Sequence, residues 1–417
     1  NGLTSVPFNN VGSAVVSAVA VDAAGNEGAA DFEFSVVDFS DTLPPTAILD
    51  EKISSEPITT FTDVMGTVTD DGAVEYVLEV APVAGGEFVE VASGSTAVEN
   101  GKLGEFDPSV LQNDSYVLRL TATDGGGNSS RDSVVVDVAG DLKLGNFRLS
   151  FTDLEIPVSG IPISVTRTYD SLNASERDDF GYGWRLEFRD TDLKTSVRKQ
   201  TTEEELLGVQ SPFSERERVY VTLPGGERTG FTFKPRGSHL NGYLSYPEAF
   251  MYHPEFVADD GGELTLRVKD VNLVRKAGTD EFVENGSGVP YNPADPRFGG
   301  VYELVTSEGV VYAIDAVSGD LLTVTDRNEN KLTFSDAGIV SSTGVSVSFE
   351  RDAAGRIVGV VDPEGNRIGY EYDEFGDLVG VTDREDNTTE FVYDLDDRPH
   401  YLEIGRASCR ERVCHRV

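Results

Sequence analysis

Five Asp-x-x-x-Asn pairs recur along the 417-residue chain: Asp22/Asn26, Asp124/Asn128, Asp326/Asn330, Asp362/Asn366 and Asp383/Asn387. Two kinds of chemistry use that spacing. Side-chain oxygens four residues apart can hold the backbone of an Asx-type turn. The same oxygens can coordinate Ca²⁺, which takes about six to eight of them. Two side chains per turn fill too little of that shell, so the turn reading is the stronger one. The residues best placed for such a cation are Asp70, Asp71 and Asp124, and no other cofactor is expected.

Groups for covalent or acid–base catalysis are scarce. His239, His253 and His400 lie far apart in unrelated contexts, which argues against a metal triad. There is no G-x-S-x-G elbow, no P-loop and no H-E-x-x-H. With 73 Asp and Glu, some carboxylate pair falls at glycosidase separation by chance, and sequence cannot single one out. The expectation is a protein that is not an enzyme.

The 34 basic residues leave a net charge of −39, mostly a solvated acidic surface. Such a field repels nucleic acid and anionic membranes, so neither is expected as a partner. No apolar run reaches the length of a membrane span. The chain opens inside a repeat unit without a charged-then-apolar leader, and its natural start is expected upstream. Both cysteines, Cys409 and Cys414, fall in a terminal stretch, Gly405–Val417, that is basic where the rest is acidic. Residues 403–417 are therefore set aside as foreign to the fold and expected to pack against nothing from Gly405 onward.

Strands and turns must position these groups. Tyr116, Leu118, Leu120 and Ala122 alternate with polar or outward residues, as do Tyr76, Leu78 and Val80, the period of a strand with one buried face. Thr201–Leu207 alone looks helical. AVDAAGN at Ala20–Asn26 returns as ATDGGGN at Ala122–Asn128, each between alternating strands, with a Pro-stiffened DTLPP linker at Asp41–Pro45. Near the other end three copies align: SGDLLTVTDRNEN (Ser318–Asn330), AGRIVGVVDPEGN (Ala354–Asn366) and FGDLVGVTDREDN (Phe375–Asn387). Each has Gly, Asp seven later and Asn four after that. The unit is strand, Asp-initiated turn, strand, Asp/Asn turn. FER, YEY and FVY precede Asp352, Asp373 and Asp394 and lay an aromatic stripe on one face. One such hairpin cannot bury that stripe alone, so the units must stack.

Tyr370–Asp383, YEYDEFGDLVGVTD, with Tyr370, Tyr372, Asp373 and Gly376, resembles a YD repeat, and Tyr393 and Asp394 begin another. Glu329 and Asp386 stand where Gly365 occupies the middle copy, so those turns must differ in conformation or carry strain. Upstream, Gly145–Ser171 and FGYGW (Phe180–Trp184) resemble the opening segment of RHS/YD-repeat proteins, through Arg167, Tyr169, Ser171, Gly181, Gly183 and the sole tryptophan, Trp184. The first third resembles bacterial Ig-like modules. The terminal EIGRASCRERV resembles a translated sequencing adapter.

The resemblance implies an all-β fold: an Ig-like β-sandwich followed by an RHS/YD-repeat spiralling β-sheet, a partial shell. It divides the chain into 1–40 (last strands of an Ig-like domain), 41–140 (Ig-like domain), 141–200 (RHS opening segment), 201–310 (β-rich middle segment), 311–402 (YD repeats) and 403–417 (the tail). It implies a secreted or bacterial cell-surface scaffold for toxin encapsulation, delivery or adhesion. The partners expected are a glycan or cell surface and a C-terminal cargo outside this stretch. A carbohydrate-binding adhesin without cargo is the alternative, and a polysaccharide-active enzyme a more distant one. Trp184 should be buried beside Tyr169. One continuous sheet should run from the middle segment through Tyr393, with Asp315, Asp352, Asp373 and Asp394 at equivalent turns on one rim.

Overall fold

The computed structural model describes residues 12–21, 26–36, 41–140, 143, 146–187, 189, 191–223, 228–238, 251–259, 261–394, 400–402 and 409–410. The chain is all-β and forms two compact units, Asn1–Ser109 with Ser115–Asp141 and Val110–Asp114 with Leu142–Val417.

In the first unit, Gly12–Val21 and Glu27–Val36 pair as an antiparallel hairpin; Asp22, the first member of its Asp/Asn pair, lies outside the described residues. Seven further strands form two antiparallel sheets. Thr46–Leu49, Thr62–Thr69 and Val98–Phe106 make one; Val89–Gly94, Val74–Pro82, Ser115–Asp124 and Ser129–Asp137 make the other. The alternation does its work: Tyr76, Leu78, Val80, Tyr116, Leu118, Leu120 and Ala122 are all buried. Burying such a stripe from each sheet is what closes a sandwich.

In the second unit, sixteen strands among the described residues form one antiparallel sheet. It starts at Lys194–Thr195, passes through Arg218–Thr222, Arg228–Phe233, Phe256–Ala258 and Thr265–Arg267, and then runs in chain order from Val301–Val305 to Thr388–Glu390. Each strand hydrogen-bonds the next, so one face becomes a continuous core wall that includes Val324, Phe334, Phe349, Val360, Tyr370 and Val381. The helix Thr202–Leu207 is short but fully capped. Thr201 and Glu204 form a reciprocal capping box, and Gly208 ends it in the left-handed conformation.

The three aligned copies adopt one geometry. In each, the register slips by one residue after the first strand, between Ala313/Ile314, Glu350/Arg351 and Glu371/Tyr372. Such a bulge bends the strand and increases twist. On one side of the repeats, the backbone N–H of Asp352 and Asp373 bonds the carbonyl four residues on, and Asp315 spans five. On the other side, Asp326, Asp362 and Asp383 accept from the backbone of Asn330, Asn366 and Asn387 and from their side-chain amides. Asp124 and Asn128 make the same pair of bonds in the first unit. The Asp/Asn spacing is thus a turn device used in two architectures. Glu329 (φ 65°) and Asp386 (φ 64°) keep the left-handed conformation of Gly365 (φ 90°). The conformation is retained and the strain accepted.

Three expectations need correction. The sheet ends its repeat run at Thr388–Glu390; Tyr393–Asp394 leaves it and pairs with Tyr401–Leu402 in a separate ladder. The residues that would form a turn after Asp394 lie outside the described residues; Asp394 itself pairs with Tyr401, and the Tyr393 ring is buried in the core. The middle segment also sheds a four-stranded side sheet of Arg236–Ser238, Met251–His253, Leu273–Arg275 and Phe282–Glu284. Finally, Cys409–Arg410 pairs with Thr388–Glu390 as the outermost strand. An open sheet edge offers unpaired N–H and C=O groups that accept any extended backbone. Among the described residues no helix is long and apolar enough to cross a membrane.

Candidate functional site

The opening segment builds a three-stranded antiparallel sheet from Arg148–Ile156, Ile163–Asp170 and Trp184–Leu186. Its apolar face shares one core with the repeat wall. Trp184 is fully buried, 5.4 Å from the Tyr169 ring and 5.1 Å from the Phe391 ring. The two glycines before it are required by close approach. At Gly181 (φ 89°) a β-carbon would lie 2.4 Å from the carbonyl oxygen of Gly376, and at Gly183 (φ 70°) 2.5 Å from the Tyr169 ring. Gly-x-Gly-Trp is thus a joint where backbone meets backbone and ring meets backbone.

Polar atoms inside the joint are matched across long sequence distances. The Trp184 indole N–H donates to the Tyr393 hydroxyl, which donates to the Leu378 carbonyl, each at 2.8 Å. The Tyr169 hydroxyl donates to the His400 carbonyl (2.9 Å) and accepts from the Leu402 N–H (3.0 Å). Burial pushes the Tyr169 hydroxyl up to about 12. Arg167, 2% exposed, pairs through Nε with Asp153 at 2.8 Å and stands over the rings of Phe151, Trp184 and Phe391. Tyr370 donates to the same Asp153 carboxylate at 2.8 Å. Ser171 accepts from the Phe147 N–H and fixes the end of the strand.

Of the repeat residues, the Tyr372 hydroxyl donates to the Ile357 carbonyl (2.6 Å) while the Arg356 guanidinium covers its ring. Asp373 accepts from the N–H groups of Phe375, Gly376 and Asp377, with Gly376 left-handed at φ 96°. Asp394 contributes the backbone pair to Tyr401.

Several joint residues carried no sequence signal. Asp153 is one. Asp179 is another; it pairs with Arg351 at 2.5 Å and lies 3.6 Å from Arg189, which also bonds Asp336. The backbone of the same stretch serves the repeats, since Ile357 N–H donates to Asp179 and Leu321 N–H to Arg189. Asp377 is fully buried and faces His400 Nδ1 at 2.8 Å, with the imidazole stacked on Tyr182 at 3.7 Å. Burial raises the Asp377 carboxyl, against the pull of His400.

In the first unit, carboxylate oxygens of Asp41, Asp70 and Asp124 lie within 4.8 Å of one another. Asp70 and Asp124 are therefore together, with Asp41 in the place expected for Asp71. Three monodentate carboxylates are about half of a Ca²⁺ shell. Asn128 already bonds Asp124 and the Asp41 carbonyl, tying the linker to the turn.

The chain carries an RHS repeat at residues 351–389 and a DUF6531 domain, a domain of unknown function, at residues 141–202. These matches take in the second and third aligned copies and the opener, which residues such as Tyr370 and Trp184 had pointed to, and they fit the RHS/YD-repeat reading. No curated protein matches the chain. Among solved structures it is similar to the protocadherin gamma B2 extracellular cadherin domains 1–5, at 13% identity over 75% of this chain and 64% of that one, with a TM-score of 0.15. It is also similar to the protocadherin gammaB4 extracellular domain, at 13% identity over 92% and 70%, with a TM-score of 0.14. The chain thus spans a little under two thirds of the first of these.

Proposed function

We propose that this chain is a non-enzymatic extracellular scaffold: the wall and opening segment of an RHS shell, carried with an Ig-like module, that serves toxin enclosure or cell-surface contact. The carrying observation is the sixteen-stranded sheet, whose strands pair in near chain order and whose single apolar wall is sealed by the opener. Such a sheet works by geometry. A paired wall separates what lies behind it from solvent, and its polar groups are spent on turns and latches. The Asp/Asn pairs of the repeats hold loops, and Arg167, Tyr169, Trp184, Tyr370 and Tyr393 hold the opener to the wall. The seven-stranded sandwich of the first unit supports the Ig-like reading by strand count and sheet pairing. Secretion or display on a bacterial surface follows from this role, and a glycan or cell-surface component is the partner.

The full chain should be screened against polysaccharide, ester and peptide substrates. No turnover is expected. Turnover abolished by a single carboxylate substitution, such as Asp153→Asn or Asp178→Asn, overturns the scaffold reading.

A further inference from the structure

A cavity of about 240 Å³ lies in the second unit between the opener and the loop Ser318–Asp320. Five carboxylates line it, from Asp170, Glu176, Asp178, Asp192 and Asp320, together with Arg185 and with Arg177, which donates to the Ala354 carbonyl. Most of the acidic charge is answered within the chain. Asp170 pairs with Arg148 (2.7 Å), Glu176 with Lys194 (2.8 Å), and Asp192 with Arg228 (2.8 Å) and Lys194 (3.4 Å). Asp320 lies 3.6 Å from Arg189. Arg185 differs. It is 5% exposed, its side chain makes no hydrogen bond or ion pair among the described residues, its Nε is closed off even from the cavity, and Asp192 acts on it only through space.

An occupant must supply an oxygen for Arg185 and protons for the carboxylate oxygens around it. A hydroxyl group does both, since it donates once and accepts through two lone pairs. An anion would satisfy Arg185 and meet five carboxylates. An ammonium would suit the carboxylates but duplicate cations already present and face Arg185. The volume holds on the order of eight waters at liquid density, and it falls below the roughly 300–1,000 Å³ of sites for drug-sized ligands. We propose that this cavity is a binding site for a small neutral polyhydroxylated molecule, one saccharide ring or a short polyol, free or as the end of a glycan. The site adjoins the joint at Gly183 and Trp184 but uses no residue of the Arg167–Asp153–Tyr370 latch.

The test is calorimetric titration of the purified full chain with glucose, galactose, N-acetylglucosamine and myo-inositol, and with phosphate and spermidine as charged controls. At least one neutral probe should bind saturably. Arg185→Lys, which removes the planar guanidinium, should weaken it tenfold or more, and Ser318→Trp, which puts a bulky ring at an exposed lining position, should abolish it. If Arg185→Lys does not fold, as read from Trp184 fluorescence, Ser318→Trp decides alone. Binding of the same sugar as an immobilised glycan terminus assigns the ligand to a surface polymer, and binding of the free sugar alone assigns it to a small molecule. The proposal is overturned if no neutral probe saturates, if a charged control is preferred, or if Ser318→Trp leaves affinity unchanged.

Discussion

The indole N–H of Trp184 donates to the hydroxyl of Tyr393 at 2.8 Å, across 209 positions of sequence. Tyr393→Phe removes the acceptor from one buried donor and the donor from the Leu378 carbonyl. A buried polar group left unmatched costs roughly 1–3 kcal/mol, so about 2 kcal/mol of destabilisation is expected. Urea unfolding followed by the emission of the sole tryptophan measures it directly. An unchanged midpoint would show that the latch contributes nothing.

Glu329 and Asp386 occupy left-handed turns at φ 65° and 64°. An L-residue there is disfavoured by roughly 1–2 kcal/mol, partly offset by the greater chain entropy of glycine. Glu329→Gly and Asp386→Gly should each stabilise the fold by about 0.5–1 kcal/mol, and Gly365→Ala should destabilise it. Thermal or urea denaturation of the three variants checks the ordering.

Gly181→Ala should be far more damaging than Gly208→Ala. Both glycines are left-handed, but at Gly181 the added carbon meets a backbone oxygen at 2.4 Å, whereas at Gly208 it meets open space. The first is expected to cost about 2–4 kcal/mol and the second about 1 kcal/mol. Equal costs would mean that the approach of Gly181 to Gly376 is not tight in solution.

Burial pushes the Glu217 carboxyl up to about 7 from an ordinary 4.5. Between those values the folded chain holds a proton that the unfolded chain has released. Stability is therefore greatest below about 4.5 in this respect and falls as pH rises toward 7. Allowing for partial solvent screening, the loss is about 2 kcal/mol. Glu217→Gln should raise stability at pH 8 and flatten this part of the profile; a slope unchanged by the substitution would assign it to another group.

The sequence carried the repeat unit well because its signals are local. Gly319, Gly355 and Gly376 each precede an Asp by seven residues, and that spacing encodes a strand between two turns. Gly181, Gly183 and Trp184 were readable for the same reason. The partners of these residues were not. Nothing local distinguishes Asp153 or Asp179 among 73 acidic residues, and Tyr370 reaches Asp153 over 217 positions. Tyr393–Asp394 repeats the letters of Tyr372–Asp373, yet the chain around it leaves the sheet because its ring is claimed by Trp184. The side sheet escaped notice because each of its strands is three residues long, too short for an alternation to register.

The long reach of the opener has a kinetic consequence. During synthesis, the repeats can pair strand by strand as they emerge, since each ladder joins neighbours in the chain. Trp184 and Tyr169 are made well before their partners Tyr393, His400 and Leu402, which follow 209 to 233 positions later. Until then the opener exposes aromatic surface and unmatched donors, the sort of intermediate that aggregates or recruits a chaperone. Closing so long a loop is entropically slow. The bond between Trp184 and Tyr393 therefore reports closure of the joint: ribosome-bound chains should acquire buried-tryptophan emission only once residue 393 has cleared the exit tunnel.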